Sequence, residues 1–230
     1  MARSLGTSET RVRTYAARRG RLSPLTRGRL ETLGPARWLP TGPLEPVVTF
    51  GRSEPLVLEV GCGHGAAAVA YAASHPGHDV LAVDVHTPGV ARMLAAADRA
   101  HVSNLRAELG DAVPLLADRI GAGALAAVHL FFPDPWPKSK HAKRRFVSAY
   151  TLDLLVSRLA SDGYLLVATD QRPYADHVLS VVGRHGGFVA SEVERPAWRP
   201  LDGFERRAVE VGREIVDLRL DRVHPFGSSD

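Results

Sequence analysis

The chain has 230 residues, 45% of them hydrophobic and 23% charged, which excludes wholesale disorder and fits one domain of roughly 100–200 residues with an extension. The net charge is +4 and there is one cysteine, Cys62, so a disulfide framework is excluded, a cysteine-based zinc site is not expected, and a reducing, cytoplasmic compartment is. No apolar run reaches the roughly 18 residues of a membrane span and no apolar stretch reads as a secretory leader, so no membrane partner is expected.

Residues 1–50 hold nine Arg and three Glu, leaving the rest of the chain at −2. They also carry Pro24, Pro35, Pro40, Pro43 and Pro46, which interrupt any long apolar period. The expectation is a flexible Arg/Pro-rich N-terminal arm over 1–50, solvated or touching nucleic-acid phosphates. Residues 51–230 are expected to form the folded domain. A biased base composition accounts for the bulk of Arg and Ala, but not for the placing of the three lysines. Lys138, Lys140 and Lys143 all fall within six residues.

Leu56–Val60 is a short apolar run of the kind found in buried parallel strands. Gly61-Cys62-Gly63-His64-Gly65 makes a turn, and the alanine-dense Ala66–Ser74 reads as a helix. Residues 79–85 form a second strand with Asp84 near its end. Thr87 is expected to cap, and Pro88 to open, a helix reaching about residue 100. Leu105–Leu109 is a third strand, followed by Asp111 and a short helix over 113–119. Residues 126–132 form a fourth strand, 133–145 a basic loop and 146–159 a helix. Residues 164–168 form a fifth strand ending at Thr169-Asp170, 173–185 a helix, and 213–219 a late strand. This alternation predicts an α/β fold, a mainly parallel sheet with helices on both faces. Ligands of such sheets bind beyond the carboxyl ends of the strands. Here those ends carry the glycine turn, Asp84, Asp111, Pro133 to Pro137 and Asp170.

Glycines let a backbone approach its ligand closely. A dinucleotide turn would read Gly-x-Gly-x-x-Gly, but here the third glycine comes one position early. Glu59, just before the turn, would also repel a diphosphate. A carboxylate there suits a cofactor with an ammonium group and no phosphate, as S-adenosylmethionine is. Glu59, Gly61, Gly63 and Gly65 are therefore cofactor-binding candidates. Asp84 offers two acceptor oxygens to ribose hydroxyls, and Asp111 is placed to accept from the adenine amino group. Cys62 reads as a small buried filler. The ten histidines show no ligand spacing, so no metal is expected.

Phe131-Phe132-Pro133-Asp134-Pro135-Trp136-Pro137-Lys138-Ser139-Lys140-His141-Ala142-Lys143-Arg144-Arg145 is the most informative stretch. Three prolines stiffen the turn, presenting Asp134 and Trp136 with little freedom. An aromatic beside a fixed carboxylate can stack on a base while the acid takes its N–H donors. The five cations that follow offer phosphate contacts.

This stretch, with Leu58-Glu59-Val60-Gly61-x-Gly63-x-Gly65 and Val85-His86-x-Pro88-Gly89-Val90, resembles the bacterial tRNA (guanine-N7-)-methyltransferases, over about residues 54–222. The resemblance implies a Rossmann-like, S-adenosylmethionine-dependent methyltransferase fold. It implies methyl transfer to N7 of a guanine in the tRNA variable loop, with tRNA as partner; a monomer or homodimer is the expected working unit. Glu59, Asp84, Asp111 and Asp134 match the family's cofactor-contacting carboxylates, and Asp134 also its catalytic residue. Lys138 and Asp170 match substrate contacts. Lys140, His141, Ala142, Lys143, Arg144 and Arg145 match its RNA-interacting segment. Asp202, Gly203, Phe204 and Glu205 fall on a substrate-side Thr-x-Phe-Glu string, with Asp202 replacing the threonine. Ala208 stands where a glycine is usual.

Guanine N7 has a free lone pair and no proton, so no general base is needed. Asp134 is expected to orient the base or offset its developing positive charge, and Glu205 or Asp170 to accept from N1–H and the exocyclic amine. Two other readings stand beside this one. Pro133-Asp134-Pro135-Trp136 is faintly similar to the Asp-Pro-Pro-Tyr loops of amino-methyltransferases acting on other bases. A methyltransferase fold kept as a non-catalytic RNA-binding module is the second.

Overall fold

The computed structural model describes residues 14–15, 21–201 and 203–223. Five strands lie parallel: β1 (Leu56–Val60), β2 (Asp79–Asp84), β3 (Leu105–Leu109), β4 (Leu125–Phe131) and β5 (Leu159–Thr169). Two antiparallel strands, β6 (Phe188–Glu192) and β7 (Val216–Arg222), complete the sheet. The order is β3-β2-β1-β4-β5-β7-β6. The chain leaves β1 toward one edge and returns at β4 to build the other. A crevice therefore opens where β1 and β4 end, the place where such sheets bind ligands.

Burial explains the sheet. All of β1 is buried, as a central parallel strand with both faces covered must be. Leu56, Leu58 and Val60 enter one apolar core and Val57 the other. Glu59 stands on the same side as Val57, since side chains alternate along a strand. Its registered partner on β4 is His129, so a carboxyl and an imidazole are buried side by side in the sheet.

The helices are α1 (Pro24–Leu33), α2 (Pro46–Phe50), α3 (Ala66–Ser74), α4 (Thr87–Arg99), α5 (Ala112–Asp118), α6 (Ala149–Arg158), α7 (Arg172–His185) and α8 (Gly203–Glu210). No helix among the described residues is long and apolar enough to cross a membrane.

Several local expectations are corrected. The arm predicted over 1–50 is in its larger described part folded onto the domain. Helix α1 packs on α4, Leu39 and Leu44 are buried in the main core, and residues 37 and 39 exchange backbone bonds of 2.8 and 2.9 Å with Ala107. Residues 1–13 and 16–20 of that arm lie outside the described residues. The cap of α4 is His86 rather than Thr87. Helix α6 begins at Ala149, not at 146, because Ser148 and Thr151 form a capping box and Phe146 and Val147 are drawn into the core. Strand β5 starts five residues earlier than the sequence suggests, directly at the end of α6. Strand β7 lies three residues later than expected.

Candidate active site

The turn after β1 takes its shape from glycine. Gly61, Gly63 and Gly65 all have left-handed backbones, with φ of 72°, 55° and 76°, which only glycine adopts without strain. Asp84, at the end of β2, holds this turn in place. Its Oδ2 accepts from Gly63 N and its Oδ1 from His86 N, both at 2.7 Å. Each carboxylate oxygen has a second lone pair, so Asp84 can still accept from a ligand hydroxyl. Asp111 caps α5, its Oδ1 accepting from Val113 N at 3.0 Å.

Glu59 is 3% exposed, and its Oε2 has no hydrogen-bond partner. Burial pushes its carboxyl up to about 8, and the Asp84 charge acts in the same sense. A backbone bond at Ala68 and the Arg199 charge oppose them. An unsatisfied buried acceptor beside a glycine turn is a place for a cationic donor.

The loop after β4 is held under strain. Phe132 and Trp136 have φ of 50° and 42°, a region that costs non-glycine residues of order 1–3 kcal/mol each. Phe132 N donates to Ala168 O on β5 at 2.8 Å. Between the two strained residues, Asp134 stands exposed on the rim. It lines the same cleft as Gly61, Gly63, Asp84 and Asp111. Thr14, Tyr15 and Phe204 close other sides of that cleft.

Trp136 is not a free stacking surface. Its Nε1 donates to Thr14 O at 3.2 Å, Arg144 lies over its ring at 4.5 Å, and His141 meets it edge-on at 5.7 Å. Arg145 is also engaged, its Nε donating to Pro135 O at 3.1 Å and its Nη2 reaching Trp136 O at 3.4 Å. The basic segment thus divides in two. Lys138, Lys140 and Lys143 are exposed, while His141, Ala142, Arg144 and Arg145 are half-buried, and Arg144 and Arg145 brace the turn. Residues Ser139–Arg144 form a 3-10 helix.

The expected base-reading carboxylates are occupied. Glu205 is 2% exposed. Arg195 Nε reaches its Oε1 at 2.6 Å, and Arg199 reaches its two oxygens at 3.0 and 3.1 Å. Glu205, expected to accept from guanine, is thus already held by two guanidinium groups, with one of these bonds on Oε2 and two on Oε1. Asp170 Oδ2 is paired with Arg213 Nη1 at 2.5 Å. Neither Asp170 nor Lys138 is among the residues lining the cleft or the cavity beside it. That second cavity is lined by Glu59, Gly203, Phe204, Glu205, Arg199 and Arg207, among others. Phe204 is 65% exposed and carries Arg207 over its ring at 5.4 Å. Asp202 lies outside the described residues. Tyr15, Arg199 and Arg207 had no sequence signal, each being one of many arginines or an isolated tyrosine in a polar stretch. No group of three or more metal-ligating side chains occurs among the described residues.

Residues 53–218 match a family model described as "Putative methyltransferase". Among curated proteins, the chain is 41% identical over 220 residues to the tRNA (guanine-N(7)-)-methyltransferase of Sodalis glossinidius (strain morsitans), covering 93% of this chain and 92% of that protein. It is 40% identical over 222 residues to the protein of the same name from Thiobacillus denitrificans, covering 94% and 98%. Among solved structures, a variant of the 16S rRNA (adenine(1408)-N(1))-methyltransferase from Catenulisporales acidiphilia superposes with a TM-score of 0.55 at 18% identity, covering 82% of this chain and 98% of that one. An rRNA methylase from Streptococcus thermophilus gives 0.51 at 15% identity, covering 75% and 89%.

Proposed function

The chain belongs to the tRNA (guanine-N7-)-methyltransferase family, and we propose how its own residues carry a methyl group from S-adenosylmethionine to N7 of a guanine in the tRNA variable loop. The reading is supported above all by the meeting, in one cleft, of the glycine turn with Asp84, Asp111 and Asp134. Exposed lysines follow Asp134 in the chain. tRNA is the partner and the cytoplasm its compartment.

S-adenosylmethionine supplies a methyl group on a positively charged sulfur. The donor set fits it: Glu59 offers a buried, unpartnered Oε2, and an ammonium group held there would favour its ionised form. Asp84 keeps spare lone pairs for ribose hydroxyls, and Asp111 has one oxygen beyond its capping bond for the adenine amine. Gly61, Gly63 and Gly65 let the backbone approach. The cleft holds carboxylates where a dinucleotide site would hold donors for a pyrophosphate.

Because N7 already carries a lone pair, the residues need only position the base and offset the charge it gains. In our reading Asp134 does both, from the rim of the cleft and without abstracting a proton. Phe204 supplies an exposed ring on which a base can stack. Asp170 exchanges Arg213 for the N1–H and amino group of guanine. Lys138 contacts the substrate, and Lys140 and Lys143 meet phosphates. Glu205 and Gly203 act by shaping α8 rather than by touching the base.

Asp134→Asn tests this. Turnover at saturating substrates should fall at least a hundredfold, while the dissociation constant for S-adenosylmethionine changes less than fivefold. An equal loss in both would make Asp134 a cofactor ligand only.

A further inference from the structure

Arg199 is 2% exposed and joins three parts of the fold. On β7 it binds both oxygens of Asp217, Nη1 to Oδ1 at 2.5 Å and Nη2 to Oδ2 at 3.0 Å. On α8 it binds both oxygens of Glu205, through Nη2 at 3.0 Å and Nε at 3.1 Å. At the end of β4 its guanidinium carbon lies over the rings of Phe131 and Phe132, 5.0 and 5.8 Å from their centroids. These distances are within reach of a cation–π contact. Arg195 supplies the second positive charge on Glu205, so two arginines and two carboxylates cancel.

A buried ionic network is a poor way to gain stability, because apolar residues of similar volume do as well or better. What it supplies here is a fixed geometry. The two rings under Arg199 belong to the last residue of β4 and the first of the loop. Phe132 is also the residue with the left-handed φ of 50°. Such a conformation in a bulky residue persists only where its surroundings hold it. Asp134 follows two residues later on the same stiff turn.

We infer that Arg199 is a positioning residue for methyl transfer: anchored by Asp217 and Glu205, it holds the Phe132 ring and so the left-handed turn that presents Asp134 to the cleft. The inference rests on the reading that Asp134 acts at the reacting centre.

Arg199→Lys keeps the charge but loses the fork and the flat face. Misplacing a catalytic group by an ångström can cost about a hundredfold. At saturating S-adenosylmethionine and tRNA, this variant should therefore lose at least about tenfold in kcat. Its cofactor dissociation constant should stay within threefold of wild type. The same change is then made in a Phe132→Gly background. Glycine takes the left-handed conformation without strain, so there Arg199→Lys should cost less than threefold in kcat, relative to Phe132→Gly alone. A purely structural Arg199 would cost the same in both backgrounds, and that result overturns the inference, as does wild-type kcat for Arg199→Lys. If Arg199→Lys does not fold, Asp217→Asn, which loosens the anchor, is read in the same pair of backgrounds with the same criteria. Asp134→Asn is run alongside. Wild-type kcat there overturns the reading of Asp134 and the inference with it. Loss of turnover there, with Arg199→Lys unimpaired, overturns the inference alone.

Discussion

Asp84 accepts the backbone N–H of Gly63 at 2.7 Å, so the end of β2 sets the shape of the glycine turn that follows β1. The same carboxylate takes the N–H of His86 at the start of α4. One side chain therefore orders both backbone segments around the cofactor cleft while keeping lone pairs for a ligand.

Asp84→Ala should thus weaken S-adenosylmethionine binding by tenfold or more. It leaves two backbone donors without their acceptor, at about 1–3 kcal/mol each where buried, and removes the ribose acceptor. Asp84→Asn should also weaken binding, because its amide nitrogen would face one of those N–H groups. Calorimetric titration with the cofactor checks this; unchanged affinity in both variants would mean that the turn holds without Asp84.

Stability should depend on pH through two buried neighbours. Glu59 is raised to about 8 from its ordinary 4.5, chiefly by burial. Its protonated form in the fold stabilises fully below pH 4.5, and that contribution is lost as pH rises through 8. His129 is lowered to about 3 from 6.5, again chiefly by burial, with His75, Arg199 and His78 adding to it. Its contribution is present above pH 6.5 and lost as pH falls through 3. The two slopes oppose each other between pH 4.5 and 6.5, and above 6.5 only that of Glu59 remains. Glu59→Gln should flatten the decline in melting temperature between pH 6.5 and 8, and His129→Gln the decline on the acid side. A Glu59→Gln curve parallel to wild type above pH 6.5 would show that Glu59 is ionised in the fold.

The division of the basic segment predicts two phenotypes. Replacing Lys138, Lys140 and Lys143 by Gln should lower the salt slope of tRNA binding by about 2–3, at roughly 0.7–0.9 for each phosphate no longer neutralised. Arg145→Gln should leave that slope nearly unchanged and reduce kcat, because Arg145 holds the carbonyls of Pro135 and Trp136. Filter binding over a range of salt, with turnover on the same preparations, separates the two. The reverse pattern would place Arg145 on the RNA and the lysines in solvent.

Leu39 and Leu44 make the N-terminal segment part of the core. Leu39→Ala and Leu44→Ala should each cost about 2–5 kcal/mol of stability, read from urea denaturation midpoints. Deleting residues 1–50 should abolish a cooperative transition. Losses below about 0.5 kcal/mol would make the segment an appendage.

The central strands and the strand-end carboxylates are legible in the sequence because parallel strands covered on both faces are continuous apolar runs, each followed here within three residues by a glycine turn or an acid. The N-terminal segment is not, because its prolines read as breaks. In fact Pro24 and Pro46 each open a helix, the position where a missing N–H costs nothing, and Ser23 caps the first of them. Strand β6 gives little signal as a short edge strand with Val189 exposed, and α8 gives little because it starts at a glycine and is dominated by charge. The occupation of Glu205 has no signal at all. Its partners Arg195 and Arg199 look in sequence like any others of an Arg-rich chain, and only the fold brings them onto one carboxylate.

The product nucleoside identifies the acceptor atom directly. Labelled S-adenosylmethionine is incubated with the protein and unmodified tRNA, and the RNA is digested to nucleosides. The expected label is in 7-methylguanosine. Label in any other nucleoside, or none while the cofactor still binds, would contradict it.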